Sequence, residues 1–345
     1  ASFNYTPTST TAGATFAWSR AVVTGISNIA ASGSGNPNET LNNTTTDPIN
    51  VTYVYTVSAN GCTNATPYSV VVAVNPTPIL NSTLTPPDIC GGSAFSYIPT
   101  SATVGAAFAW SRAAVTGISE AANTGNDNPN EVLTNTTTSP VNVTYVYTLS
   151  ANGCTNPNTF SVVVTVNPSP VLNSSLTPPD ICSGTAFSYA PTSTTTGATF
   201  DWTRAAIPGI SNISGSGSGN PNEVLTNTSQ TPIDVTYIYT VSANGCSNST
   251  TYSVVVTVNP TPTLSSTLNP PAICNGTSFN YVPTSVTAGA TFNWSRAVVT
   301  GISNISASGT GTPGETLLNT TTDPVNVTYI YTVTANGCSN PATYS

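Results

Sequence analysis

Residues 141–154 read Val-Asn-Val-Thr-Tyr-Val-Tyr-Thr-Leu-Ser-Ala-Asn-Gly-Cys. Large apolar side chains take every second position of this stretch: Val143, Tyr145, Tyr147 and Leu149. A period of two places them on one face of a β-strand, with the smaller and mostly polar residues on the other face. Asn152-Gly153 favours a type I′ hairpin turn, because both residues tolerate a positive φ. We therefore predict a strand over 141–150 whose tyrosine face lies in a hydrophobic core.

This stretch belongs to a repeat of 92 residues. One tryptophan marks each copy: Trp18, Trp110, Trp202 and Trp294. The repeat has the size of one small domain, so we predict four repeats over 1–76, 77–168, 169–260 and 261–345. Relative to the second and third repeats, the first lacks its first strand and the fourth lacks its last. A window cut from a longer array explains this, and so does a filament in which a terminal repeat accepts a strand from its neighbour.

Four further segments of the second repeat have the composition of strands and are bounded by Gly, Pro and Asn: 94–99, 107–112, 131–136 and 159–166. No segment of the chain has helical periodicity. Several short strands without helices predict an all-β fold, a tandem array of immunoglobulin-like β-sandwiches with two sheets per repeat. Proline-rich joints such as Asn167-Pro168-Ser169-Pro170 are semi-stiff, so we expect a rod with limited bending.

The composition excludes most catalytic chemistry and nucleic-acid binding. The chain has 4 cationic residues, all arginine, no histidine and a formal net charge of -8. Without histidine or lysine, the usual nucleophile pairs, imidazole metal sites and Schiff bases cannot be built. Phosphate binding needs a patch of Lys and Arg, and a membrane helix needs roughly 20 apolar residues in a row. We therefore expect no enzyme activity, no cofactor, no nucleic-acid partner and no membrane insertion.

The cysteines fall into two series. Cys62, Cys154, Cys246 and Cys338 each follow Ala-Asn-Gly, and Cys90, Cys182 and Cys274 each follow Pro-Pro-x-Ile. Their fixed positions predict structural disulfides and an oxidising compartment, with bridges either across the linker (62 with 90, 154 with 182, 246 with 274) or within one repeat. We favour Cys90–Cys154, Cys182–Cys246 and Cys274–Cys338, because such a bridge closes roughly 65 residues of one sandwich and contributes about 4 kcal/mol. The partner of Cys62 would then precede residue 1.

Two charged residues recur in every repeat, an arginine and a later glutamate. The pairs are Arg20/Glu39, Arg112/Glu131, Arg204/Glu223 and Arg296/Glu315. A lone carboxylate is a weak candidate for a catalytic base, so we predict an ion pair that fixes the glycine-rich loop between two strands. The tryptophans are predicted to pack in the core, the alternative being a surface on which sugars stack. No aspartate position is kept in every repeat, since Asp47 becomes Ser139 and Thr231 and Asp88 becomes Ala272, and we predict no metal site.

Several phrases recur together: Phe-x-Trp-(Ser/Thr)-Arg at 108–112, Val-Thr-Tyr-x-Tyr-Thr at 143–148, Asn-Gly-Cys at 152–154 and Val-Val-Val-x-Val-Asn-Pro at 162–168. Together they resemble the PKD-like repeats of giant Bacteroidetes cell-surface proteins, over essentially the whole chain. The chain departs from typical PKD domains in having Ser111-Arg112-Ala113 in place of an Asp-Phe-Gly-Asp-Gly loop. The calcium binding of some PKD relatives is therefore not expected here.

The resemblance implies an extracellular location at a bacterial cell surface, export by a type IX secretion system, and a role in adhesion or gliding motility. The expected function is a semi-rigid stalk that holds an adhesive tip away from the outer membrane. Its partners would be neighbouring repeats of the same polypeptide, other copies if it forms filaments, and an unknown surface ligand bound by a tip outside the chain. Two alternatives stay open: a filament subunit assembled by strand exchange, and an array of carbohydrate-binding modules of a secreted enzyme.

Overall fold

The computed structural model describes residues 2–345, and every regular element in that range is a β-strand. These residues contain no helix that is long and apolar enough to cross a bilayer. The chain divides into two compact units, Ala1–Ser169 and Pro170–Ser345, and each unit holds two of the repeats. The predicted all-β fold is confirmed.

The strands of the first unit follow the repeat. The first repeat contains β1 (Ser2–Phe3), β2 (Thr15–Arg20), β3 (Ala31–Ser34), β4 (Glu39–Thr40), β5 (Ile49–Ala59), β6 (Cys62–Thr63) and β7 (Tyr68–Val74). The second repeat contains β8 (Ile89–Cys90), β9 (Ser93–Phe95), β10 (Ala107–Arg112), β11 (Asn123–Asn126), β12 (Glu131–Leu133), β13 (Val141–Ala151), β14 (Cys154–Thr155) and β15 (Phe160–Asn167).

The strands of the second unit follow the same pattern. The third repeat contains β16 (Ile181–Cys182), β17 (Thr185–Phe187), β18 (Thr199–Arg204), β19 (Gly215–Ser218), β20 (Glu223–Leu225), β21 (Ile233–Ala243), β22 (Cys246–Ser247) and β23 (Tyr252–Asn259). The fourth repeat contains β24 (Ser278–Phe279), β25 (Thr291–Arg296), β26 (Ala307–Thr310), β27 (Glu315–Thr316), β28 (Ile330–Ala335) and β29 (Cys338–Ser339).

Each repeat has one large sheet and one small sheet. In the second repeat the large sheet has the order β11-β10-β13-β15-β8, β14 also pairs with β13, and the small sheet pairs β9 with β12. The contact between β15 and β8 is parallel, and the others are antiparallel. The third repeat has the equivalent order β19-β18-β21-β23-β16, with β22 on β21 and a small sheet of β17 and β20. The first repeat has a large sheet in the order β3-β2-β5-β6 with β7 on β5, and the fourth has the order β26-β25-β28-β29.

The central strand of each large sheet buries the face that its alternation predicts. On β13 the side chains of Val143, Tyr145, Tyr147 and Leu149 are fully buried. Phe95 of the small sheet packs onto the ring of Tyr145 with centroids 4.9 Å apart, so the two sheets share one aromatic and valine core. Burying apolar surface between the sheets is the main stabilising term for such a sandwich.

The predicted turn is confirmed, and some strand ends differ from the prediction. Asn152 and Gly153 have φ values of 51° and 78°, as a type I′ turn requires. Strand β9 ends at Phe95 rather than at 99, because the N–H of Tyr97 donates to the Asn128 side chain (2.8 Å) instead of joining a ladder. Strand β12 ends at 133 rather than at 136, because the Asn135 side chain accepts the N–H of residue 137 and starts a turn. The short strands β8, β11 and β14 were not predicted.

Candidate functional site

The predicted arginine–glutamate pair lies in the interior of each repeat. In the second repeat Arg112 ends β10 and is 2% exposed. Its Nε and Nη2 donate to Oε2 and Oε1 of Glu131 at 2.9 and 3.0 Å, the two-point geometry for which arginine is suited. Nη1 and Nη2 also donate to the backbone carbonyls of Ala113 at 3.2 Å and Ala121 at 2.6 Å. The guanidinium therefore fixes the loop between β10 and β11 as well as the start of β12.

A tyrosine completes this Arg-Glu-Tyr cluster. The hydroxyl of Tyr145 on β13 donates to Glu131 Oε2 at 2.6 Å, and Asn123 donates to Oε1 at 2.8 Å. Burial alone would raise the pKa of Glu131, but the hydrogen bonds from Arg112, Tyr145 and Asn123, together with the arginine charge, outweigh it and lower that pKa to about 2. Both carboxylate oxygens already accept hydrogen bonds at neutral pH. The cluster is therefore built to hold three strands together rather than to transfer a proton.

The same cluster is present in the other three repeats. The arginine Nε lies 2.9 Å from the glutamate Oε2 in Arg20–Glu39, Arg204–Glu223 and Arg296–Glu315. The tyrosine hydroxyls that donate at 2.7 Å are those of Tyr53, Tyr237 and Tyr329. The arginine hydrogen bond lowers the pKa of Glu39, Glu223 and Glu315. Among residues 2–345 no group of three or more His, Cys, Asp or Glu side chains is placed to hold a metal ion.

Acid is expected to weaken the cluster. A glutamate whose folded pKa lies below its unfolded value, about 4.3, contributes stability that is complete above the unfolded pKa and is lost as the pH falls toward the folded one. For Glu131 the loss runs from about pH 4.3 down to about pH 2. Hydrogen exchange of β13, followed from neutral pH into this range, should report an unfolding free energy that is level at first and then falls.

The Glu131→Gln variant provides the matched control for this pH dependence. Its second repeat should lose less stability on acidification than the wild-type repeat, because no ionisable group remains at that position. The third repeat of the same chain, with Glu223 intact, should keep the wild-type pH dependence. An equal fall in both repeats would contradict the assignment to the cluster.

Each tryptophan is covered by a glycine of the neighbouring strand. Trp110 on β10 is 6% exposed and pairs with Gly125 of β11. A Cβ on Gly125 would lie 2.6 Å from Cζ2 of Trp110, so the indole requires glycine there. The equivalent pairs are Trp18/Gly33, Trp202/Gly217 and Trp294/Gly309. The tryptophan packs in the core as predicted, and its covered ring offers no face to a sugar.

A disulfide joins the third repeat to the fourth. Cys182 of β16 is bonded to Cys338 of β29, with Cα atoms 5.6 Å apart. Asn259, the parallel partner of Cys182 at the end of β23, donates from Nδ2 to the backbone oxygen of Asn336 in the hairpin turn before Cys338 (3.4 Å). Asn340 donates to the carbonyl of Pro262 in the linker at 2.8 Å. A covalent bond and amide side chains therefore hold the end of one repeat against the hairpin of the next.

The disulfide pairing predicted from the sequence is wrong. None of Cys90–Cys154, Cys182–Cys246 and Cys274–Cys338 forms, because Cys182 bonds Cys338 and both Cys154 and Cys274 are free thiols. The pairing across the linker fails as well, since it too would need Cys62, Cys154 and Cys274. Neither Cys90 nor Cys246 is a free thiol.

The reason for the error is the position of the two cysteines within one repeat. Cys182 lies beside the end of β23 that pairs with Ile233, whereas Cys246 pairs with Ala243 at the other end of β21. Eleven residues of strand extend over about 33 Å, and a disulfide needs Cα atoms within about 7 Å. The two cysteines of one sandwich therefore cannot meet, and the hairpin of the next repeat supplies the partner.

The first unit uses the same amide contacts at its own junction. Asn75 donates from Nδ2 to the backbone oxygen of Asn152 at 2.7 Å, and Asn156 donates to the carbonyl of Pro78 at 2.8 Å. Sequence reasoning did not single out these asparagines. Their recurrence was the available signal: Asn156 has counterparts at Asn64, Asn248 and Asn340.

The sequence profile of the PKD-like domain matches residues 1–78, 87–170 and 179–262, well over half of the chain. The chain belongs to the PKD-like domain family. The fourth repeat lies mostly beyond the last matched residue and carries the same Arg-Glu-Tyr cluster. No curated protein matches the chain.

The PKD-like repeats also show similarity to solved structures of extracellular domains. Mouse cadherin-23 EC22-24 is 15% identical with a TM-score of 0.28, covering 72% of this chain and 86% of that chain. Drosophila N-cadherin EC1-4 is 11% identical with a TM-score of 0.24, and the match covers 98% of this chain and 93% of that chain. Drosophila OTK extracellular domains 3-5 are 7% identical with a TM-score of 0.23, and the match covers 74% of this chain and 93% of that chain. These scores are too low to bear on function.

Proposed function

We propose that this chain is a non-enzymatic, extracellular spacer that bears mechanical load along its PKD-like repeats. The observation that carries the proposal is the Cys182–Cys338 disulfide, which crosses the junction between two repeats instead of closing one of them. The amide contacts at the repeat junctions of both units support the same role. A semi-rigid spacer needs joints of this kind, because a flexible linker would not transmit a fixed separation.

The disulfide changes the path that a pulling force takes. Tension entering the third repeat from the linker reaches Cys182 near its first strand, crosses the sulfur–sulfur bond and leaves through Cys338. The strands between these residues then lie outside the load path. Hydrogen-bond ladders yield before covalent bonds do, because each net hydrogen bond contributes only about 1 kcal/mol. Most of the third and fourth repeats would therefore stay folded under a load that unzips an unbridged sandwich.

The finer assignment follows from composition and resemblance. Disulfides persist in secreted and cell-surface proteins, and charged residues make up only 5% of this chain. The resemblance to Bacteroidetes repeats then favours the stalk of a bacterial surface adhesin, exported by a type IX system and acting in adhesion or gliding. The carbohydrate-binding alternative has less support, because the tryptophans that would stack on sugars are buried.

Single-molecule pulling tests the load path. The full chain carries handles at the exposed Thr177 and at Ser345, on either side of the bridge. Without reductant, complete stretching should leave the bridged segment of 156 residues unextended, and reductant should add roughly 50 nm of contour length. A Cys182→Ser, Cys338→Ser double variant should show the longer contour under both conditions.

The free thiol Cys274 provides the matched control. A Cys274→Ser variant lacks a cysteine that forms no bridge and should behave as the wild-type chain does in both conditions. Equal contour lengths with and without reductant in the wild-type chain would overturn the proposed load path.

A further inference from the structure

Each repeat exposes an asparagine–glycine pair at the tip of a hairpin. The pairs are Asn60-Gly61, Asn152-Gly153, Asn244-Gly245 and Asn336-Gly337. The asparagines have φ values of 51° or 52° and the glycines have φ values between 76° and 79°. Both residues of every pair are exposed to solvent. This dipeptide has a reactivity of its own, because glycine has no side chain to shield its backbone nitrogen from the amide carbon of the residue before it.

An asparagine before a glycine can lose its side-chain amide without an enzyme. The glycine nitrogen gives its proton to hydroxide and attacks Cγ of the asparagine. A nitrogen–carbon bond forms, the bond between Cγ and Nδ2 breaks, and ammonia leaves with a proton from water. A second water then opens the five-membered succinimide at one of its two carbonyls. The products are aspartate and isoaspartate, and in isoaspartate the main chain runs through Cβ and Cγ.

The hairpin geometry opposes this reaction. Ring closure requires the glycine nitrogen to rotate about the Cα–C bond of the asparagine until it eclipses Cβ. A type I′ turn is the mirror image of type I, so ψ at its first central residue is about +30°. This angle places the glycine nitrogen on the side of the Cα–C bond that faces away from Cβ. The turn therefore has to open before the asparagine reacts, and the free energy of that local opening controls the rate.

In the second repeat, the junction with the first repeat keeps the turn closed. Asn75 donates from Nδ2 to the backbone oxygen of Asn152 at 2.7 Å. This oxygen moves when the peptide unit rotates, so the hydrogen bond resists the rotation directly. The Asn152 side chain is held as well, because its Nδ2 donates to the carbonyl of Val104 at 3.3 Å. Ala151 pairs with Cys154 across the turn, and the thiol of Cys154 is free.

In the fourth repeat, a longer amide contact and a covalent bond close the same turn. Asn259 of the third repeat donates from Nδ2 to the backbone oxygen of Asn336 at 3.4 Å. Cys338 pairs with Ala335 across the turn and is bonded to Cys182 of the third repeat. The two turns thus share their sequence and backbone geometry, but different bonds to the preceding repeat hold them closed.

We propose that Asn152 and Asn336 are deamidation sites whose rate is set by the docking of the preceding repeat. A docked junction preserves the amide, and separation of the two repeats lets the backbone of the turn attack it. The change is permanent, because isoaspartate adds one methylene to a two-residue turn. It also converts the carbonyl that Asn75 contacts into a carboxylate outside the main chain, so the original junction cannot form again. The site does not depend on the proposed load-bearing role.

Site-resolved mass spectrometry of the full chain, aged at mildly alkaline pH, tests both junctions at once. Asn75→Ala should speed ammonia loss at Asn152 about fivefold, the factor that corresponds to one net hydrogen bond of about 1 kcal/mol, and leave Asn336 at its wild-type rate. The Cys182→Ser, Cys338→Ser double variant should speed the reaction at Asn336 by about tenfold or more and leave Asn152 unchanged. Each turn is thus the control for the other.

Two further samples complete the test. Asn152→Gly keeps a residue that accepts positive φ but removes the reacting amide, so the isoaspartate of this turn should disappear. The wild-type chain unfolded in denaturant should react faster than the folded chain, and equally at Asn152 and Asn336, because no junction remains.

Three results would overturn the proposal. The first is an equal rate of deamidation in the folded and the unfolded chain. The second is an unchanged rate at Asn152 in the Asn75→Ala variant. The third is an equal increase at Asn152 and Asn336 in that variant, which would indicate a general loosening of the chain instead of the loss of one junction contact.

Discussion

Replacing Arg112 with methionine should destabilise the second repeat by about 3–5 kcal/mol, the cost of breaking a buried ion pair by removing one partner. Methionine fills a similar volume but leaves the Glu131 carboxylate with hydrogen bonds from Tyr145 and Asn123 alone. It also leaves the carbonyls of the loop before β11 without their donors. Native-state hydrogen exchange of β13 measures the change for this repeat alone.

Two companion variants show whether the charge is the cause. Glu120→Gln alters a partly exposed carboxylate of the same repeat that accepts hydrogen bonds from Ser119 and Thr134, and it should change the free energy of unfolding by less than about 0.5 kcal/mol. Adding Glu131→Gln to Arg112→Met should recover part of the loss, because no unpaired buried charge remains. If the double variant is as unstable as the sum of the single variants, the ion pair is not the main term.

Replacing Trp110 with alanine should cost about 3–5 kcal/mol. The indole packs edge-on against Tyr145, with ring centroids 5.4 Å apart, and Gly125 closes over its other side. Neighbouring strands cannot collapse into the space, because Tyr145 is held through its hydroxyl by Glu131. The same hydrogen-exchange measurement on β13 reports the loss.

The matched control for the tryptophan lies on the covering strand. Thr124 is adjacent to Gly125 on β11 and is exposed, so Thr124→Ala should shift the unfolding free energy by less than about 0.5 kcal/mol. If Trp110→Ala lowers the free energy of unfolding by less than about 1 kcal/mol, the core repacks around the missing indole. The repeated Trp-Gly pair would then not be explained by stability.

Local sequence patterns predicted much of the fold because they act within a few residues. The alternation at 143–149 and the Asn152-Gly153 turn are visible in sequence, since each depends on one strand or one turn. The ion pair of Arg112 and Glu131 was also predictable, because two isolated charges in a nearly uncharged chain have few partners. The third member, Tyr145, was assigned only to the core, because its alternation records burial and not the direction of its hydroxyl.

Features that depend on the meeting of two repeats could not be predicted in this way. The large loop that a bridge inside one sandwich would close favoured a disulfide within one repeat. The position of Cys182 at one end of the large sheet and of Cys246 at the other became clear only from the strand register. The junction asparagines do recur in the sequence, but recurrence alone does not reveal that their amide groups contact a neighbouring repeat.

The burial of the four arginines also determines how readily proteases cleave this chain. Enzymes of tryptic specificity need a basic side chain in an extended, accessible segment, and this sequence contains no lysine to offer one. Each arginine side chain is at most 1% exposed and is bonded to a glutamate at the end of a core strand. Fraying of loops or ends cannot release it, so such cleavage has to wait until an entire repeat opens.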